Sequence, residues 1–338
     1  MYEKIIEEIR SNLGENKDLN RKYLSSQIEK YSDHPYNKEI IREISRMMWD
    51  CLSDEEKEEF IAISEKENPI MDILNEISEY IECGDYETAL DKLNMFMESF
   101  PGMFEDDKVS EYHSFTNPLE EILFREYVGA EKEVRLIPDD KPLLDLYYIY
   151  GFLLFEKNQY EKAEESLKKA NKINPVSARI ILELCEIYKI RTPSFNKFYI
   201  YTTEALKYSY YPQDIARCYR NLGYYYIEEN KLDTAVALYK YSMNFELSIM
   251  AYNELHYIES KGQNINLSKE EVDGLLESAN IQIGVNPFIL KTLYELAEEY
   301  EQNRLYNQSL YFYELLNNIA NDEKVGQKIK NITMEINY

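Results

Sequence analysis

The chain has 338 residues, of which 44% are hydrophobic and 30% are charged, so it can bury a core and is not of the disordered type. Its formal net charge of −25 repels phosphate backbones and anionic lipid, so we expect neither nucleic acid nor membrane as a partner. Ten glycines and ten prolines are few for a sheet protein with many tight turns, and this favours helices.

The start of the chain and its cysteines predict a cytoplasmic protein. The first residues, MYEKIIEEIRSNLGENK, lack the apolar core of a signal peptide. The longest apolar run, LLDLYYIYGFLLF, contains Asp145 and is shorter than the about 20 residues that cross a bilayer. No C-x-x-C pair occurs among the cysteines, so a metal knuckle or redox motif is not indicated, and buried thiols in a reducing compartment are expected for Cys51, Cys83, Cys185 and Cys218.

Residues 1–66 are predicted to form an N-terminal helical region. Apolar spacing and start signals indicate helices at about 2–12, 18–31, 37–50 and 54–65. A DNA-binding helix-turn-helix normally presents a basic face, but this region holds 11 Lys and Arg against 16 Asp and Glu, a balance of −5. We therefore expect a helical cap or a small interaction domain.

From residue 67 a two-helix pattern recurs, and it is clearest in YYIYGFLLFEKNQYEKAEESLKKANKINP. Bulky residues there follow each other by one helical turn, and the small residues Gly151 and Ala163 let two helices approach closely. The same register holds in three other segments. The residues that keep it are Ile73, Tyr80, Ala89, Leu93 and Pro101; Tyr147, Tyr150, Gly151, Leu154, Ala163, Leu167, Ala170 and Pro175; Tyr219, Leu222, Gly223, Tyr226, Ala235 and Tyr239; and Leu293, Leu296, Ala297, Tyr300, Ser309 and Tyr313.

This pattern resembles the tetratricopeptide repeat (TPR) superfamily, whose 34-residue unit reads W-x2-L-G-x2-Y…A-x3-F…P. Tyr147 takes the Trp place, Gly151 and Ala163 are the two small residues, Leu167 stands for Phe, and Pro175 is the Pro. The chain is similar in this respect to uncharacterised bacterial TPR proteins. The resemblance implies an all-α fold, an α-solenoid of helical hairpins wound into a right-handed superhelix, over residues 67–337.

Regular units alternate with degenerate ones. The small residues Ala89, Ala163, Ala235 and Ser309 are separated by 163 − 89 = 74, 235 − 163 = 72 and 309 − 235 = 74 residues, which is two units and a few residues more. The degenerate units are expected at 104–143, 178–208 and 251–281. Duplication of a two-repeat block and insertions tolerated in loops explain the alternation equally well. A last amphipathic helix, about 322–337, is predicted to cap the array.

The sequence carries no pattern of catalytic residues. His34, His113 and His256 lie far apart, and no H-E-x-x-H, nucleophile elbow or glycine-rich phosphate loop occurs. The many carboxylate pairs are typical of solvated helix faces in a chain this acidic. We therefore expect a protein that is not an enzyme and that uses no cofactor or metal.

The resemblance to TPR proteins implies that positions two, five, nine and twelve of each first helix line a concave groove. In the unit that starts at Ala178 these are Arg179, Leu182, Glu186 and Lys189. Over three units a basic and aromatic cluster results, in which arginine forks can bind carboxylates and asparagine can hold a peptide backbone. Its members are Arg179, Arg217, Arg220, Asn221, Tyr148, Phe152 and Tyr224.

The cluster resembles, in part, the carboxylate clamp of some TPR domains. Tyr148 and Phe152 stand where that clamp has Lys and Asn, which argues against the specific chaperone-tail function. An alternative interpretation is that the arginines pair with nearby glutamates and only support the helices.

The leading hypothesis from sequence is a non-catalytic module that binds a protein or peptide partner in the groove. The alternatives are a cytoplasmic signal-peptide receptor that regulates transcription, and a structural oligomeric scaffold.

Overall fold

A computed structural model gives the structure of residues 2–66, 68–190 and 195–336, and these described residues are almost entirely helical. They contain eighteen α-helices and two short β-strands. The all-helical prediction is thus confirmed at this level, and helices that follow each other in sequence pack on each other. The chain forms two compact units, residues 1–114 with 130–146 and residues 115–129 with 147–338. The predicted division at residue 66 stays a prediction.

Unit 1 contains six helices, and the four predicted in residues 1–66 are confirmed within a residue or two. Helices α1, α2 and α3 enclose a small core of Ile9, Leu24, Ile40 and Ile44. Helices α5 and α6 form a separate hairpin. The bounds are α1 Tyr2–Ser11, α2 Lys17–Lys30, α3 Asn37–Asp50, α4 Asp54–Lys66, α5 Pro69–Glu82 and α6 Tyr86–Ser99.

The prediction of a degenerate helix pair at 104–143 is wrong. This segment contains strand β1 (Ser110–His113), helix α7 (Pro118–Tyr127) and strand β2 (Glu133–Leu136), and the two strands pair in parallel. Helix α7 ends at Tyr127 and is closed by Gly129, whose positive φ of 73° a glycine adopts without strain. The residues that follow, Glu133–Leu136, alternate charged and apolar side chains, which suits a strand rather than a second helix.

Unit 2 consists of α7 and the helices from α8 onward. Each helix from α10 to α14 packs on the one before it, α15 packs on α13, α17 packs on α16, and α18 packs on α17. Helix α9 contacts α8, where the Ser166 hydroxyl donates a hydrogen bond of 2.7 Å to the Tyr147 carbonyl. The bounds are α8 Leu143–Glu156, α9 Tyr160–Ile173, α10 Ala178–Ile190, α11 Phe195–Tyr208, α12 Pro212–Glu228, α13 Leu232–Ser242, α14 Ile249–Ser260, α15 Lys269–Ser278, α16 Pro287–Gln302, α17 Tyr306–Ala320 and α18 Glu323–Ile336.

The small residues of the repeat pattern lie at the helix contacts, as expected. Ala163, Ala235 and Ser309 are fully buried, and the Ser309 hydroxyl donates a hydrogen bond of 2.8 Å to the carbonyl of Ala297 on the preceding helix. A Cβ atom added to Gly151 would lie 2.6 Å from Cγ of Leu167, which is closer than side chains tolerate. These positions therefore need small residues because the paired helices nearly touch there.

The four regular hairpins also share one turn. Gly84, Asn158, Asn230 and Arg304 have φ of 75°, 58°, 55° and 60°, and they are separated by the same 74, 72 and 74 residues as the small residues. In each turn the next N–H donates to a carbonyl five residues earlier, which satisfies the end of the first helix. The turn is therefore a repeated structural element.

Helix α7 is fixed to unit 2 by a buried carboxylate. Glu120 is 3% exposed and accepts hydrogen bonds from the Asn174 amide at 2.8 Å, the Tyr210 hydroxyl at 3.0 Å and the Thr116 N–H at 2.7 Å. Three donors compensate the burial of the charge. Helix α18 packs on α17, in agreement with the predicted last helix; residue 337 lies outside the described residues.

Candidate functional site

The predicted site residues lie on α8, α10 and α12, which are the first helices of three successive hairpins. On α12, Arg217, Asn221 and Tyr224 follow each other by one helical turn and share a face. Helix α10 packs on α12 and presents Arg179, Glu183 and Glu186 with the same spacing. Charged side chains from neighbouring units are therefore brought together.

Arg217 is held by two glutamates of α10. Its Nη1 donates to Glu183 Oε1 at 2.8 Å and its Nη2 to Glu186 Oε1 at 3.2 Å. Burial by itself would lower the pKa of Arg217, but the two carboxylates outweigh burial and the pKa is raised. The side chain is 28% exposed, so the pair is partly desolvated and stronger than a surface pair.

Arg220 is also paired. Its Nη1 donates to Glu246 Oε2 at 2.7 Å, with the arginine side chain 17% exposed and the glutamate 41% exposed. The structure thus gives both arginines of α12 glutamate partners, as the alternative interpretation expected. A ligand carboxylate has to displace these glutamates to reach the guanidinium groups.

Arg179 and Tyr148 form a cation–π pair. The Arg179 guanidinium carbon lies 4.2 Å from the ring centroid of Tyr148, and Arg179 itself is exposed. Burial raises the pKa of Tyr148, and the nearby Glu183 raises it further. Phe152 is half-buried one helical turn further along α8. Together they form a partly exposed aromatic and cationic platform.

Tyr224 lies at the other end of the same face. The Lys189 ammonium is 4.4 Å from its ring centroid, and the ring of Phe198 meets it nearly edge-on with centroids 6.1 Å apart. Lys189 was a groove position in the sequence scheme, and the structure brings it to Tyr224.

Asn221 is the site residue whose hydrogen bonds are incomplete. Its side chain is 5% exposed, and Nδ2 has no hydrogen-bond partner in the described part of the chain. An unpaired buried amide donor costs about 1–3 kcal/mol. A main-chain carbonyl from a ligand would provide the missing acceptor after a small side-chain movement.

Sequence reasoning missed some residues of this site, and one of the positions that it predicted to line the groove does not do so. Leu182, predicted to face the groove, is fully buried in the core. Asp214 was missed: burial raises its pKa, although Arg217 and Arg179 lie close enough to oppose the shift. Glu183 was also missed, yet it precedes Arg217 by 34 residues, one repeat length, and that spacing was a usable signal.

No family model matches the chain, and no curated protein matches it. Within residues 2–66, 68–190 and 195–336, no group of three or more His, Cys, Asp or Glu side chains is arranged to hold a metal ion. None of the helices in those ranges combines the length and apolar character needed to span a bilayer.

Proposed function

We propose that this chain is a cytoplasmic, TPR-type interaction protein without catalytic activity, and that it binds an extended peptide segment of a partner across α8, α10 and α12. The repeated turns and buried small residues support the TPR assignment. In such an array the hairpins wind into a right-handed superhelix, with these first helices on the concave side.

The observation that carries the proposal is the unpaired Nδ2 donor of Asn221, which lies on α12 next to Arg220 and one helical turn after Arg217, both paired with glutamates. Natural proteins satisfy nearly all buried donors, so an exception at the centre of a polar face needs a reason. An extended peptide has one carbonyl per residue, and one of them can accept this hydrogen bond. Main-chain recognition is favoured over capture of a terminal carboxylate, because Arg217 and Arg220 already hold glutamates.

The platform of Tyr148, Arg179 and Phe152 and the Tyr224–Lys189 pair supply the second part of recognition. Tyr148 with Arg179 joins α8 to α10, and Tyr224 with Lys189 joins α12 to α10, so these two ring–cation pairs connect the three helices of the proposed site. Large rings provide contact area at low cost in side-chain entropy. We therefore expect a peptide that places apolar or aromatic side chains beside Asn221.

The test is the variant Asn221→Leu, which removes the donor and keeps a similar volume. The full chain and the variant are immobilised, and partners captured from the source cell are quantified by mass spectrometry. Partners of this face should be lost about tenfold or more, since a lost hydrogen bond and a misplaced backbone each weaken binding. Arg125→Gln, which breaks an exposed pair with Glu121 on α7, is the matched control and should keep them.

The same variant has a second readout. If the donor is unpaired in the free protein, Asn221→Leu should raise the free energy of unfolding by about 1 kcal/mol while capture falls. Equal capture of partners by Asn221→Leu and the wild type would contradict the proposed function. A lower free energy of unfolding for the variant would show that the Asn221 amide already has a hydrogen-bond partner within the chain.

A further inference from the structure

The sheet of unit 1 has one protected edge and one open edge. In a parallel ladder, alternate residues of a strand direct both N–H and C=O toward the same side. The N–H of Glu133 donates to the Val109 carbonyl at 2.9 Å, and the N–H of Ile137 donates to the His113 carbonyl at 2.7 Å. The intervening residues Val134 and Leu136 therefore direct their backbone groups away from β1.

The outer edge of β1 is satisfied by the loop before it. Asp107 accepts from the Ser110 N–H at 2.9 Å and donates its own N–H to the Ser110 carbonyl at 3.0 Å. Asp106 accepts from the Tyr112 N–H at 3.0 Å. Side-chain and loop caps of this kind prevent a further strand from adding to an edge.

The outer edge of β2 has no such cap. Among the described residues, no strand pairs with it, and no side chain or loop hydrogen-bonds to the N–H of Val134 or Leu136. The side chains of Val134 and Leu136 are 37% and 55% exposed. The chain thus protects one edge of a two-stranded sheet and leaves donors, acceptors and apolar side chains available on the other.

A cavity of about 690 Å³ adjoins the open edge. Its lining comes from α1, α3 and β2, and includes Arg10, Arg46, Glu133 and Arg135, but no residue of β1. Of the two strands, only β2 contributes to the lining, so the cavity adjoins the β2 side of the sheet. Its volume falls in the range that accommodates a small ligand or a few side chains.

Arg135 forms the floor of this cavity and lacks one acceptor. The residue is 8% exposed; its Nε donates to Ser110 Oγ at 2.8 Å, and its Nη2 to Glu43 at 3.1 Å and Glu133 at 2.9 Å. Its Nη1 is buried without a partner in the described part of the chain. A side-chain oxygen that enters the cavity from the β2 side would supply that acceptor.

We propose that β2 binds an extended segment of a partner protein by strand addition. The segment forms main-chain hydrogen bonds with Val134 and Leu136 and completes a third strand. Its side chains then alternate: apolar ones lie on Val134 and Leu136, and an Asp, Glu, Asn or Gln on the other face points into the cavity toward Arg135. This site lies wholly in unit 1, so it is independent of the peptide-binding face proposed on α8, α10 and α12.

The experiment uses a displayed library of random twelve-residue peptides, selected on the immobilised full chain. Leu136→Pro removes one outward N–H and keeps the hydrogen bonds to β1, because proline is tolerated where a strand N–H faces outward. Leu136→Thr is the matched control, since it keeps the N–H and the strand preference. Selected peptides should bind Leu136→Pro about tenfold more weakly and Leu136→Thr within about twofold of the wild type.

N-methylation of each peptide residue in turn gives a readout on the ligand, which does not depend on the folding of a variant. Strand addition predicts loss at every second residue and tolerance between them. The proposal would be overturned by any of four results. Methylation could weaken binding without that alternation, or no such peptide could be selected. The selected peptides could bind Leu136→Pro as tightly as the wild type, or they could lose binding to Leu136→Pro and Leu136→Thr equally. A dimer of the chain abolished by Leu136→Pro, with no peptide selected, would assign the edge to a second copy instead. Peptides that no longer bind Asn221→Leu but still bind Leu136→Pro would belong to the proposed face on α8, α10 and α12, and this result would count against strand addition at β2.

Discussion

Replacing Gly151 with Ala tests the close contact between the helices of the second regular hairpin, α8 and α9. The added Cβ would lie 2.6 Å from Cγ, 2.9 Å from Cδ2 and 3.3 Å from the backbone N of Leu167. Leu167 is 1% exposed, and its branch point and backbone cannot swing away as the end of a long side chain can. Something in the hairpin must therefore shift.

The expected magnitude follows from two opposing terms. Overpacking a core with one methyl group costs about 1–3 kcal/mol. Alanine is preferred over glycine within a helix by about 0.5–1 kcal/mol. The difference leaves Gly151→Ala less stable by about 1–2 kcal/mol. The matched control is Gly274→Ala in α15, where nothing lies within 4 Å of the added Cβ, so only the helix preference acts and stability should rise by about 0.5–1 kcal/mol.

The assay is urea unfolding followed by far-ultraviolet circular dichroism, with the two variants and the wild type measured side by side. The midpoint should fall for Gly151→Ala and rise for Gly274→Ala. If Gly151→Ala is as stable as the wild type or more so, the helices are not in close contact at this position, and the packing argument for the repeat pattern fails.

Three further predictions concern other parts of the chain. Arg304 has a positive φ of 60° at the position that Gly84 occupies in the equivalent turn. Arg304→Gly should therefore raise the thermal unfolding midpoint, by an amount that corresponds to about 1 kcal/mol in the free energy of unfolding. A lower midpoint would contradict the shared turn. Burial raises the folded pKa of Asp214 above 3.8, so Asp214→Asn should raise the urea midpoint at pH 7; the gain should disappear near pH 3, where the carboxyl is protonated in both states. Cys83, which we expected to be buried, is exposed, so iodoacetamide at pH 8 should modify it in the native protein, while burial raises the pKa of Cys185 to about 12 and protects it. Modification of Cys185 before Cys83 in peptide mass mapping would contradict this prediction.

Much of the fold was predictable because its signals are local. Helix periodicity and start residues located α1 to α4, and α3 was predicted at about 37–50 and found at Asn37–Asp50. The repeat register predicted that Ala163 and Ala235 are buried, because a hairpin needs small residues where its helices meet. These features depend on neighbours within one hairpin.

The strands were missed because their stabilisation is not local. Ser110 pairs with Glu133 across the intervening helix α7, and each strand has only four residues, too few for a strong alternation signal. The segment 104–143 was assigned to helices because it lay between two helical units. Its alternating charged and apolar residues carried the contrary signal.

In the candidate site, the sequence located the arginines but did not determine their partners. Register placed Arg217 and Arg220 on a first helix, and the structure puts them there. Whether an arginine is free for a ligand depends on carboxylates in the neighbouring hairpins, such as Glu183 and Glu186, or in the following loop, such as Glu246. Side-chain pairing between units is decided by packing distances that periodicity does not contain.

Helix α7 has a consequence for how the protein is made. During translation it leaves the ribosome well before α16, on which it packs and which begins at Pro287. The core cluster that contains its apolar residues Leu119, Leu123 and Phe124 also contains Ile289 and Leu293 of α16, so it is completed only when most of the chain has been synthesised. The nascent chain is expected to need shielding by a chaperone over that interval, and a protein truncated before α16 should aggregate through this helix.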